Sequence, residues 1–205
     1  MVCSVRPRLF FALYYHVPDR AFEYAARTWL DDMKRQEGAS SGDSELFIGM
    51  STESDFWLSW HTVSEQAVSS GLDVVAGGIF SHASKQQGGN DGLEFQSDGD
   101  LDGTLTAAEI LGLPVLPWAA DGYLVLAGCN TGIGGQRKWV PAEVFARHQR
   151  VITVGQAGYA YFSKTWSSYA EKAPSHTRIS LWAYRRGKNG VFGSGSRMEA
   201  GVFVP

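Results

Sequence analysis

The stretch LFFALY, residues 9 to 14, is an unbroken apolar and aromatic run near the start of the chain. A strand wetted on one side alternates apolar with polar residues, so a run like this belongs to a strand covered on both faces. Val17, Pro18 and Asp19 then open a helix, with Phe22, Ala25, Ala26, Trp29 and Met33 at helical spacing and Gly38 beyond its end. The same order recurs. ELFIGM reads as a second strand, and SDFWLSWHTVSEQAVSSG as a second helix with Phe56, Trp60, Val63 and Ala67 on one stripe. Leu72 to Phe80 makes a third strand, and a short helix near TAAEILGL precedes a fourth from Tyr123 to Ala127. Pro141 suits the first turn of a helix through His148, RVITV gives a fifth strand and RISLWAY a sixth. Strands alternating with helices require parallel crossovers, so the expected fold class is α/β: a three-layer α/β/α sandwich with a mostly parallel central sheet of about six strands.

Bulk properties narrow the function. The 205 residues show neither a composition break nor a repeat, which predicts one domain over residues 1–205. A net charge of −3 and a pI near 5.9 leave no broad basic field, so no nucleic-acid partner is expected. No apolar run approaches the roughly 20 residues of a membrane span, so no membrane partner is expected either. The opening MVCSVRPRLFFALYYHVPD lacks a small-residue cleavage site and reads as a first strand. A cytoplasmic location follows as the expectation, with delivery to another cell as a toxin its alternative. Two cysteines, Cys3 and Cys129, make neither a disulfide framework nor a metal cage. The pieces GIGG and GVFGSGS lack a Walker lysine or a strand-to-helix GxGxxG, so nucleotide binding is unsupported.

In an α/β sheet of this kind, sites form at the carboxyl ends of the strands. Cys129, in LVLAGCNTG, follows the fourth predicted strand, and His82, in GIFSHAS, follows the third. A thiolate attacks a carbonyl carbon, an imidazole beside it takes or gives the proton, and N–H donors stabilise the developing oxyanion. The competing reading is plain packing, since free cysteines mostly fill cores. His16, His61, His148 and His176 are the other histidines, and His82 is preferred on topology: if the third and fourth strands are neighbours, it and a half-exposed Cys129 overhang one edge.

GIFSHAS, DGTLTAAEILGLP and DGYLVLAGCNTGIGG together resemble the CHAT domains, a branch of the caspase-like cysteine peptidases, with the best likeness over residues 72 to 135. The His-to-Cys separation of 47 residues is near the approximately 50 of caspases. The resemblance implies a caspase-like (CHAT-like) domain and a cysteine endopeptidase acting through an acyl-enzyme, with no cofactor required. Cys129 would be the nucleophile, His82 the general acid or base, and the backbone N–H groups of Ala83 and Cys129 the oxyanion donors. Its partners would be a protein substrate and a regulatory or recognition protein. The family usually has glycine where this chain has Ala83, and a left-handed backbone there would be strained. Ala127, two before the cysteine, stands where several caspase relatives line the pocket for the residue preceding the cut, so substrate preference cannot be borrowed. The alternative is a catalytically silent CHAT-like interaction module, stabilised by calcium.

Calcium enters through DGDLDGTLTAAE. Asp98, Asp100 and Asp102 fall at positions 1, 3 and 5 of a calcium-loop pattern, with Gly103 at 6, Thr104 at 7, Thr106 at 9 and Glu109 at 12. Against it, Thr106 and Glu109 already form a T-x-x-E capping box, and no helix leads into Asp98.

Overall fold

The computed structural model describes residues 6–18, 20–83, 92–99, 101–132, 139–156, 159–163, 179–183 and 200–203. The predicted first strand is β1 (Arg8–Tyr15), and its apolar run works on both faces of a sheet. Phe11 and Leu13 point to one side with Phe56 and Trp60, whereas Phe10 and Ala12 point to the other with Trp29 and Phe80. Phe10 and Phe11 are fully buried, each contributing about 2 to 3 kcal/mol by removing apolar surface from water.

The central sheet has six strands in the order β11-β8-β7-β3-β1-β2. Its members are β1, β2 (Ser44–Met50), β3 (Asp73–Phe80), β7 (Trp118–Ala127), β8 (Ile152–Gln156) and β11 (Ala200–Phe203). The first five pair in parallel, and only β11 runs antiparallel, along β8. One face is covered by α2 (Glu53–Ser69), α3 (Ala107–Gly112) and α4 (Pro141–Gln149), the other by α1 (Ala21–Gln36). The α/β class, the mostly parallel sheet and helices on both faces are as the alternation of strand and helix requires. Among the described residues, no helix is long and apolar enough to cross a membrane.

Three details differ from the sequence reading. The sixth strand of the sheet is β11, whereas RISLWAY supplies β10 (Ile179–Ala183), which pairs in parallel with β9 (Tyr159–Ser163) in a separate two-stranded sheet. An apolar strand pattern shows that a segment pairs but not with what. Helix α1 begins at Ala21 rather than at Pro18, because Arg20 takes a left-handed conformation (φ 57°) and its N–H closes a turn onto the Val17 carbonyl at 2.9 Å. A third, antiparallel sheet of two-residue strands joins β4 (His82–Ala83), β5 (Leu93–Glu94) and β6 (Thr104–Leu105). Strands this short have no readable period.

Arg8 and Asp43 tie the start of the sheet together. The guanidinium donates through Nε at 3.2 Å and Nη2 at 2.7 Å to the Asp43 carboxylate, and reaches the carbonyls of Glu37 and Gly38 beyond α1. Asp43 also accepts from the backbone N–H groups of Arg8 and Ser40. This pairing, led by Arg8, holds the Asp43 carboxyl well below the usual carboxylate range.

Candidate active site

The in-register pairing of β3 with β7 ends at Phe80 opposite Ala127. His82 lies two residues beyond the first, and Cys129 two residues beyond the second. The two loops touch: a methyl placed on Gly128 would stand 3.1 Å from the Ser81 carbonyl oxygen and 3.2 Å from Ala83 Cβ. The condition on which the sequence choice of His82 rested, that its strand and that of Cys129 be neighbours, is met.

The start of the cysteine loop is hydrogen-bonded to β7 and β8. Asn130 takes a left-handed turn (φ 56°), a conformation asparagine tolerates, and folds the chain back at once. Buried Thr131 donates from its hydroxyl to the carbonyls of Leu126 and Gly128 and accepts from the Gln156 N–H at 2.9 Å. Gly132 N–H donates to the Gln156 carbonyl at 2.8 Å. Backbones approach so closely here that a Cβ on Gly155 would fall 2.6 Å from Gly132 Cα, which explains a glycine at both positions. Cys129 itself is only 7% exposed, not half-exposed as its place at a strand end suggests, and its Sγ lies 3.8 Å from the Ala160 carbonyl oxygen on β9.

On the histidine side, β4 pairs His82 with Glu94 and Ala83 with Leu93, which anchors the backbone. The Ser81 hydroxyl donates to the His82 carbonyl at 2.9 Å. The imidazole stands edge-on to two aromatic rings, Phe22 at 4.9 Å and Tyr15 at 5.8 Å between centroids. Such contacts orient the plane of the ring. Ala83 is buried in an extended strand and takes no positive φ, so the strain expected of alanine in place of glycine does not arise. Ala127 is fully buried on the α1 face of the sheet.

A cavity of about 440 Å³ opens beside His82. Val17, Pro18, Ala21 and Phe22 form one wall, and Ala160 and Phe162 of β9 the other. Ala160 thus belongs to the cavity and to the surroundings of the thiol at once. Sequence reading missed these residues, because β9 lies outside the stretch that resembles a known family and its apolar side chains look like core. It also missed Gln156, fully buried, whose carboxamide has no hydrogen-bond partner among the described residues.

The acidic loop runs into β6, which pairs with β5 and through it with β4. Asp98 and Leu101 exchange backbone hydrogen bonds, the exposed Asp102 accepts from the Thr104 N–H at 2.8 Å, and Asp100 lies outside the described residues. Glu109 accepts from the N–H and hydroxyl of Thr106, so the capping box is formed. Among the described residues, no three His, Cys, Asp or Glu side chains gather as metal ligands. Glu109 instead meets Glu53, a residue with no sequence motif to mark it. Glu53 is fully buried, its Oε2 accepts from the Gly103 N–H at 3.1 Å, and its Oε1 has no hydrogen-bond donor among the described residues.

Burial first, and the neighbouring Glu109 carboxyl second, raise the Glu53 pKa above the ordinary glutamate value. A raised carboxyl pKa in the folded state stabilises fully below the unfolded value and is lost as pH rises through the folded one. Glu53→Gln, which keeps the shape and removes the charge, is therefore expected to match the wild type near about pH 4 and exceed it by on the order of 1 kcal/mol at about pH 8. Thermal melts at the two pH values check this. An equal difference at both would show that the carboxyl does not titrate in this range.

Family models were compared with the chain, and so were characterised proteins. Neither comparison finds a match.

Proposed function

We propose that this protein is a cysteine endopeptidase of the caspase-like, CHAT-related kind, using Cys129 as nucleophile and His82 as general acid and base. The observation that carries the reading is the β3 and β7 register, which ends the two strands side by side and leaves His82 and Cys129 equally far beyond them on touching loops.

In the proposed reaction the Cys129 thiol loses its proton to the His82 imidazole, and the thiolate attacks the carbonyl carbon of a peptide bond. The N–H groups of Ala83 and Cys129 would stabilise the tetrahedral oxyanion. As it collapses, the C–N bond breaks, His82 gives the proton to the leaving amine, and a thioester remains on Cys129. Water, deprotonated by His82, then cleaves the thioester and restores the thiol. A fixed imidazole plane and a pinned cysteine loop favour this chemistry, because displacement by about 1 Å costs on the order of 100-fold in rate.

The second reading, a silent interaction module, is favoured by one observation, the 7% exposure of Cys129. Incubating the chain with a peptide library and identifying the new termini by mass spectrometry separates the two. Cleavage by the wild type that is absent with Cys129→Ser supports the peptidase, and unchanged peptides with both proteins support the module.

A further inference from the structure

The cavity beside His82 identifies, we infer, the substrate class: a polypeptide with a large apolar, preferably aromatic, side chain adjacent to the bond that is cut. The inference rests on the proposed peptidase reading and extends it to specificity, which neither Ala83 nor Ala127 could supply.

The lining gives the chemistry. Apart from His82, every described residue of the cavity is apolar: Val17, Pro18, Ala21 and Phe22 on one wall, Ala160 and Phe162 on the other. A charged side chain entering such a space would surrender its hydration and find no counter-ion on those walls, whereas an apolar one would be transferred from water at a gain. Among the described residues next to this wall, Arg20 pairs with Glu23 and also stacks over the Tyr24 ring. Shape points the same way. Phe22 and Phe162 meet edge to face with centroids 4.6 Å apart, and the His82 ring stands perpendicular to Phe22. A further ring can join this set in the arrangement aromatic pairs prefer. The 440 Å³ of space is enough for a large side chain and falls within the usual range of ligand pockets.

Position ties the cavity to the reaction. His82 forms part of its lining, and Ala160, also in the lining, presents its carbonyl oxygen 3.8 Å from the Cys129 sulfur. A side chain seated there belongs to a residue next to the scissile bond, not to one several positions away.

The test has a binding arm and a cleavage arm. In the first, Cys129→Ala is titrated with N-acetyl-phenylalaninamide, N-acetyl-aspartamide and N-acetyl-argininamide, with binding followed by perturbation of the Phe22 and Phe162 ring resonances. Only the phenylalanine derivative is expected to bind, and binding should be lost when Ala21→Trp fills the space. In the second, peptides differing only at the residues flanking the cut are compared. An aromatic or branched apolar residue at one flanking position should raise kcat/KM about 10-fold or more over Asp or Arg, within the range a hydrophobic pocket can discriminate. Val17→Asp should weaken that preference in favour of Arg. Cys129-dependent cleavage with Asp, Arg or no residue preferred would overturn the pocket assignment while leaving the peptidase standing. Binding of the phenylalanine derivative without cleavage of any peptide would keep the pocket and overturn the peptidase. Neither binding nor cleavage would overturn both.

Discussion

Cys129→Ala is expected to lower kcat/KM for peptide cleavage by about 1000-fold or more, because it removes the thiol that the proposed reaction uses as nucleophile. His82→Ala is expected to fall by a similar factor, and the double variant to be no worse than either single one, since residues that act as a unit are not additive. The folded state should tolerate the cysteine change. The residue is 7% exposed and its side chain is small, so the loss of packing is about 1 kcal/mol, with the loop still held by Thr131. Circular dichroism and a denaturant titration alongside the kinetics would separate lost chemistry from lost structure. Equal activity in Cys129→Ala and the wild type would remove the nucleophile from the account.

Asp43→Ala should lower stability markedly. The Asp43 side chain is only 6% exposed, and its removal leaves the Arg8 fork, the Arg8 N–H and the Ser40 N–H without their acceptor. Breaking one partner of a buried pair costs about 3 to 5 kcal/mol. Arg8 remains 23% exposed, so water can replace part of what is lost, and about 3 kcal/mol is expected. For a chain of this size that corresponds to a fall in Tm of roughly 6 to 12 °C. The sign with pH also follows. Because the folded-state pKa of Asp43 is lowered, its contribution is present above the ordinary carboxylate value and disappears as pH falls toward the depressed one. The gap between wild type and Asp43→Ala should therefore narrow in strong acid, and melts across pH would show whether it does.

Particular residues show why the sheet was legible and the rest was not. Phe10 and Phe11 face opposite sides of β1, which is why an unbroken apolar run announces a central strand. Phe56, Trp60, Val63 and Ala67 form the buried stripe their spacing implies, because helix period and burial coincide wherever a helix packs on a sheet. The neighbouring ends of β3 and β7 were legible only as a condition, since sequence order does not fix strand order. The β4, β5 and β6 pairings involve two residues each, too few to carry a pattern. Glu53 sits in a helix first turn, where an acidic residue is ordinary, and only the fold brings it against Glu109. Phe162 and Ala160 look like core from sequence, and their place beside His82 depends on where β9 is laid.

The most direct test of the central claim is the rate at which a peptidyl thiol electrophile modifies Cys129, compared with Cys3 in the same molecule, near neutral pH. Peptide mapping by mass spectrometry reports both sites at once. The account predicts that Cys129 reacts faster than Cys3 in the wild type and loses that advantage in His82→Ala, while Cys3 is unaffected. Equal or slower reaction at Cys129, unchanged by His82→Ala, would contradict it.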